Sequence, residues 1–222
     1  MLRLENICYR YKNGAGNVLK NISAKFEPGK FTSIVGPSGS GKTTLLSIMA
    51  GLDRPTSGKV QIGKGNLSDM DLDRYRREQI AMIFQAFHLF PLLTALENVC
   101  YPMEMAKLDR RKIKSLAVAQ LDNVGITEEK HNRYPANLSG GEQQRVAIAR
   151  ALTTGAKVIL ADEPTGNLDQ ENGEHVVAIL KGLAHEKGYA VVVVTHNLEI
   201  ADGSDAVYRM RDGELSPITT AI

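Results

Sequence analysis

The run Gly36-Pro37-Ser38-Gly39-Ser40-Gly41-Lys42-Thr43 constrains this chain more than any other eight residues. It follows Phe31-Thr-Ser-Ile-Val35, which reads as a short buried strand. It opens a stretch from Lys42 to Ala50 that reads as helix. A glycine loop in that setting gathers backbone amides and a helix N-terminus at one point, which is how a chain cradles phosphate. The glycines let the backbone wrap closely. Lys42 is placed to neutralise terminal phosphates, the Thr43 hydroxyl to ligate Mg²⁺, and Thr44 continues the helix. A chance glycine turn does not account for strand, spacing, lysine and threonine together.

Two further runs carry chemistry. Val158-Ile-Leu-Ala-Asp162-Glu163 is an apolar strand ending in paired carboxylates, and ligands collect at such strand ends in open α/β sheets. Asp162 suits a Mg²⁺ site and Glu163 suits a general base for an attacking water; solvated turn acids before Pro164 are the plain alternative. Leu138-Ser139-Gly140-Gly141-Glu142-Gln-Gln-Arg145 opens another helix, with Ser139 and Glu142 spaced as a capping box. A bland helix start explains that pair but not Gly140 and Gly141, which are poor helix formers. Bare amides there suit a γ-phosphate, so one chain carries two anion-binding helix ends.

The rest of the chain sets limits. Its 222 residues, 43% of them hydrophobic, suffice for one sizeable core. The net charge of +2 without a long basic tract makes nucleic acid an unexpected partner. The cluster Asp73 to Glu78 mixes signs and reads as a solvated helix face. Cys8 and Cys100 lie far apart and are expected as buried free thiols in a reducing compartment. The N-terminal residues form no apolar signal segment, and the densest apolar run, Ala190 to Val194, is far short of the roughly 20 residues a membrane span needs. Association with a membrane is therefore expected to go through a partner.

Residues 2–9 and 17–26 alternate as paired strands around the turn-rich Lys12 to Gly16, and Pro55 to Gly58 reads as a turn. Residues 80–84 form a further strand. Thr94 and Glu97 make a capping box for a helix that Pro102 is expected to kink or end. Asp109 caps the next helix, whose apolar face is Ile113, Leu116, Ala117, Leu121 and Val124. Residues 87–137 thus read as a helical insertion between two parts of an α/β core. A helix near 171–187 and a strand at 190–194 complete a mostly parallel, doubly covered sheet.

Taken in order, these motifs resemble the ATP-binding subunit of ABC transporters over about residues 4–215. The resemblance implies a P-loop NTPase fold of α/β class: a mostly parallel core, an N-terminal antiparallel β-subdomain and the inserted helical subdomain, in one domain spanning 1–222. It adds roles that spacing cannot. Tyr11, with Tyr9 as a neighbouring candidate, matches the aromatic that stacks on adenine. Gln85 matches the glutamine that contacts Mg²⁺ and the attacking water. Asp169, in Asn167-Leu-Asp169, matches the loop crossing the dimer interface, and His196 matches the histidine on the γ-phosphate. ATP and Mg²⁺ are the implied cofactors. Two subunits are implied to pair head to tail, with Lys42 of one facing Ser139 and Gly141 of the other.

Asp162-Glu-Pro-Thr-Gly-Asn-Leu-Asp169, Pro91 to Val99 followed by Pro102, and Tyr134-Pro135 resemble the branch that serves macrolide and antimicrobial-peptide efflux, lipoprotein release, haem export and cell division. That branch implies an integral membrane permease partner and a place on the cytoplasmic face of the cell membrane. It implies export or release of a hydrophobic, peptide, haem or antibiotic-like substrate. A cell-wall regulatory complex without cargo and a soluble ABC ATPase without membrane partner are the alternatives. The segment before Leu138 lacks the Thr-Glu-Val-Gly-Glu run of many fused multidrug exporters. The chain stops soon after Leu215, leaving no room for the C-terminal regulatory domain of some importers. Residues 86–93 are unusually apolar for a loop, which reads as an interaction segment, with Phe87, Leu89 and Phe90 folding back into the helical subdomain core as the plain alternative.

Overall fold

Period-two burial organises the molecule around one central sheet. The structure, a computed structural model, describes residues 1–12, 14 and 16–218. The sheet has six strands: β3 (Phe31–Val35), β6 (Ile80–Phe84), β7 (Val158–Asp162), β8 (Ala190–Thr195), β9 (Ala206–Arg211) and β10 (Glu214–Ile218). Their order is β10-β9-β3-β8-β7-β6, parallel throughout except for the β9–β10 hairpin. In β8, Val191 and Val193 pack on one face while Val192 and Val194 pack on the other. Both strands are covered on both sides and buried throughout: β3 carries Thr32 and Ser33 as buried polar exceptions, the Ser33 hydroxyl meeting that of Ser204 at 2.6 Å, while β8 is apolar from Ala190 to Val194. Each of its valines contributes about 1.5–3 kcal/mol of burial.

Helices α3 (Ala95–Met105), α4 (Arg110–Asn123), α6 (Gly140–Leu152) and α7 (Gln170–His185) share a core with one face of this sheet. The other face packs on α1 (Lys42–Met49) and on a second, antiparallel sheet. That sheet has the order β2-β1-β4-β5, from β1 (Leu2–Tyr9), β2 (Leu19–Phe26), β4 (Ser57–Ile62) and β5 (Gly65–Asn66). The short helices α2 (Leu72–Glu78), α5 (Glu128–His131) and α8 (Leu198–Asp202) complete the set. The Thr94 and Ser139 capping boxes both form, and Asp109 caps α4 through the Arg111 amide.

Several expectations need correction. Pro102 does not end its helix: α3 continues to Met105. Val99 and Met103, on either side of it, are buried in the core, and that packing carries the helix past the missing donor. Leu116 lies outside the buried face of α4 and is 43% exposed. Ser57 and Gly58 belong to β4 rather than to a turn, because β1 offers a free edge that pairs Cys8 with Ser57. Both cysteines are free but only half-buried. In the expected turn from Lys12 to Gly16, residues 13 and 15 lie outside those described.

Candidate nucleotide site

The phosphate loop leaves β3 at its C-terminal end and turns into α1 through Gly41, which has φ +105° and serves as the helix N-cap. Only glycine reaches that backbone conformation without strain. Gly36 is required for a different reason: a Cβ there would lie 2.1 Å from the Met210 carbonyl oxygen, so the loop is seated directly on β9. The Lys42 ammonium is buried and donates to the Gly36 and Pro37 carbonyls at 2.8 and 2.9 Å. Its charge is thus held at the loop's own mouth. Ser40 is buried, and its hydroxyl has no partner among the described residues.

Around this loop lies an open pocket of about 730 Å³. Ser38, Gly39, Gly41, Lys42, Thr43 and Thr44 line it from below. Tyr11 stands at one side, 48% exposed, its hydroxyl 2.9 Å from that of Thr44 and its ring edge-on to Tyr9. Gln85, Asp162, Glu163 and His196 enter from the ends of β6, β7 and β8. Burial pushes the Asp162 carboxyl above its ordinary range; the Thr43 hydroxyl opposes this, Glu163 adds to it and Lys42 opposes it again. Glu163 has φ +47°, a left-handed conformation for a residue with a side chain. Its amide still donates to the Val194 carbonyl at 2.9 Å, extending the β7–β8 ladder by one bond. Its carboxylate meets His196 Nδ1 at 3.0 Å.

Gln85 faces two ways. It lines the pocket and also exchanges hydrogen bonds with Asn167, which bonds the Gln85 carbonyl at 3.1 Å and receives its side-chain amide at 3.2 Å. Asn167 begins the segment that packs on the second glycine turn. The Asn167 carbonyl and the side chains of Leu168 and Phe87 all lie within 4 Å of where a Gly140 Cβ would sit. A Cβ at Gly141 would strike Asn172, whose amide is held by the Asp169 carboxylate at 2.9 and 3.0 Å. Glu142 closes the capping box on the Ser139 amide and pairs with Lys130 at 2.8 Å. That pairing holds its carboxyl below the usual range.

The residues singled out in the sequence therefore fall into two groups. The phosphate loop, Tyr11, Gln85, Asp162, Glu163 and His196 share one pocket. Ser139, Gly140, Gly141, Glu142 and Asp169 form a separate surface and, among the described residues, line none of it. Sequence reasoning missed Gln144, Lys130 and Asn172, which hold these groups in place. Gln144 alone left a signal, as a polar residue on the buried stripe Gly141, Gln144, Ile148 and Leu152.

The residues fit the implied cofactors. Loop amides, a buried ammonium and a helix N-terminus suit a polyphosphate. Thr43, Gln85 and Asp162 supply a few hard oxygen donors, which matches Mg²⁺, an ion that keeps much of its shell as water and phosphate oxygen. The ion would add charge neutralisation at the phosphates.

Residues 19–166 match the family model described as ABC transporter. The chain is 44% identical to the ABC transporter ATP-binding protein MJ0796 of Methanocaldococcus jannaschii, over 97% of this chain and 95% of that one. It is 47% identical to an ABC transporter ATP-binding protein of Thermotoga maritima, over 90% of this chain and 86% of that protein. Among solved structures, the dimeric MJ0796 cassette superposes with a TM-score of 0.88 at 41% identity, covering both chains completely. A second MJ0796 structure, a dimeric post-hydrolysis state bound to ADP and Pi, gives the same TM-score at 40% identity. Loop, carboxylates, second glycine turn and relatives agree: the chain belongs to the ABC transporter family, as an ATP-binding domain with that family's ATPase chemistry and its use of ATP and Mg²⁺.

Proposed function

We propose that this chain is the ATP-hydrolysing subunit of a membrane transport complex and works as a head-to-tail pair. The observation that carries this reading is the separation of its two anion-binding helix ends. The α1 end lies in the pocket and the α6 end lies outside it, so one copy supplies half of each site. MJ0796, which resembles it along its whole length, forms a dimer.

In that pair the loop amides and Lys42 hold the phosphates, and Tyr11 takes the adenine. Thr43, Asp162 and Gln85 hold Mg²⁺. Glu163 takes a proton from the attacking water, His196 and Gln85 fix the γ-phosphate and the water, and Ser139 and Gly141 of the second copy close the site. The apolar segment 86–93 and the helical unit 87–137 face an integral membrane permease at the cytoplasmic side of the membrane. Three features support this placement: the exposed Phe90 and Leu92, the family's transport role, and a chain in which no helix is long and apolar enough to cross a membrane among the described residues. The motif run 162–169 favours the branch that exports or releases hydrophobic, peptide, haem or antibiotic-like cargo.

Two variants test the shared site. Ser139→Arg is expected to leave ATP binding to the dilute subunit within about threefold of the parent, while abolishing ATP-dependent dimerisation and hydrolysis. Lys42→Ala is expected to weaken binding itself. Equal loss of binding by titration in both variants would contradict a site built from two copies.

A further inference from the structure

Helix α6 carries an amide on its buried face. Gln144 is fully buried, on the same stripe as Ile148 and Leu152. Its nitrogen donates to the Phe84 carbonyl at 3.2 Å and to the Pro164 carbonyl at 2.7 Å. Phe84 ends β6 and precedes Gln85. Pro164 lies just beyond β7 and follows Glu163. The two strands are parallel neighbours, with Phe84 opposite Asp162. One side chain therefore joins the backbone beside both Gln85 and Glu163, the residues assigned above to the attacking water.

The orientation of that amide is fixed by its surroundings. Both neighbours are carbonyl acceptors, so a flipped amide would set oxygen against oxygen. The remaining polar atom, Gln144 Oε1, is buried without a partner among the described residues. An unpaired buried acceptor is destabilising, and an apolar residue of the same length would fill the space without it. A residue that needs both donors and leaves its acceptor idle is doing something other than filling volume. Glu163 gives the reason. Its left-handed backbone is pinned on the amide side by Val194 and, one residue on, by Gln144 at the Pro164 carbonyl. Such strain persists only where neighbours over-determine it.

We infer that Gln144 is a positioning residue for hydrolysis. It clamps the ends of β6 and β7 so that the Gln85 amide and the Glu163 carboxylate arrive together at the attacking water. It also ties them to the helix that begins at the Ser139 turn. This rests on the reading of Glu163 as the base.

The test uses the full chain with Gln144→Met, which keeps length and volume and removes both donors. Nucleotide affinity is expected within about threefold of the parent, because the phosphate loop is untouched. The kcat is expected to fall about 10- to 100-fold, the range that a misplacement near 1 Å produces. Added to Glu163→Gln, the same change is expected to lower the residual rate less than about twofold, since there is no base left to misplace. A near-parental kcat, a loss of affinity that matches the loss of rate, or a full multiplicative loss in the Glu163→Gln background would each overturn the inference. Near-parental hydrolysis by Glu163→Gln alone would instead remove the base on which it rests. If Gln144→Met does not fold, Gln144→Asn, too short to reach both carbonyls, is held to the same outcomes. If neither folds, the role is structural and the inference fails.

Discussion

Glu163 shows how a single backbone conformation serves chemistry. The left-handed turn at φ +47° ends β7 and brings the carboxylate to His196, while Asp162, one residue earlier, faces Thr43 and Lys42. Adjacent acids thereby acquire different surroundings, which the proposed division into metal ligand and base requires. Glu163→Gln is expected to keep ATP affinity and to lower the hydrolysis rate by about 10²–10⁴-fold. A phosphate-release assay with a parallel binding titration checks both halves. Asp162 allows a prediction of opposite sign. Burial raises its folded pKa, so its ionisation opposes folding. Stability is fullest below the unfolded carboxyl pKa and falls as pH rises through the folded one. Asp162→Asn is accordingly expected to raise the melting temperature at pH 7 without nucleotide, and to lose Mg²⁺-dependent turnover. A lower melting temperature would contradict the burial argument. The sequence made these two acids legible because they end an apolar strand. It could not show the sign of the Glu163 φ angle, which tertiary bonds to β8 impose.

At the scale of elements, α6 connects what the other elements supply separately. Its N-terminus is the Ser139 turn, Gln144 holds two strand ends, and Arg150 reaches the Phe87 and His88 carbonyls at 3.2 and 2.7 Å. Burial lowers the Arg150 pKa, yet its pair of carbonyl acceptors anchors the segment after Gln85. Within that segment Phe87 and Leu89 are half-buried, Phe90 lies against Tyr101 with ring centroids 4.6 Å apart, and Leu92 is 86% exposed. Phe90→Asp and Leu92→Asp are expected to leave ATPase activity of the isolated subunit within about twofold and to abolish co-purification with the membrane subunit. Normal assembly and transport in both would clear this segment of that role. Elements covered on both faces are the easiest to read: β6, β7 and β8 follow from their apolar runs, and β3 from its place before the glycine loop. Strands β4 and β9 are harder to read: β4 opens on the exposed Ser57, Gly58 and Lys59, and in β9 only the last four residues alternate, with Met210 buried between the exposed Arg209 and Arg211. Pairing with a neighbour completes what these short patterns leave open.

For the whole molecule, the sequence displayed both proposed anion-binding helix ends but not their distance in space. The pocket around Lys42 is built by the C-terminal ends of parallel strands, the usual place for a ligand in such sheets. The Ser139 turn is held by Asn172, Asp169 and Lys130 on a different surface. Under the proposed pairing, this division makes the subunit a reactant in its own catalysis. Well below the concentration at which copies associate, the rate of ATP consumption grows as the square of the amount of protein. Dilution then silences each molecule without any inhibitor. Under the same proposal, a permease that binds two copies would act first by crowding them, so that ATP is consumed where the membrane component already stands.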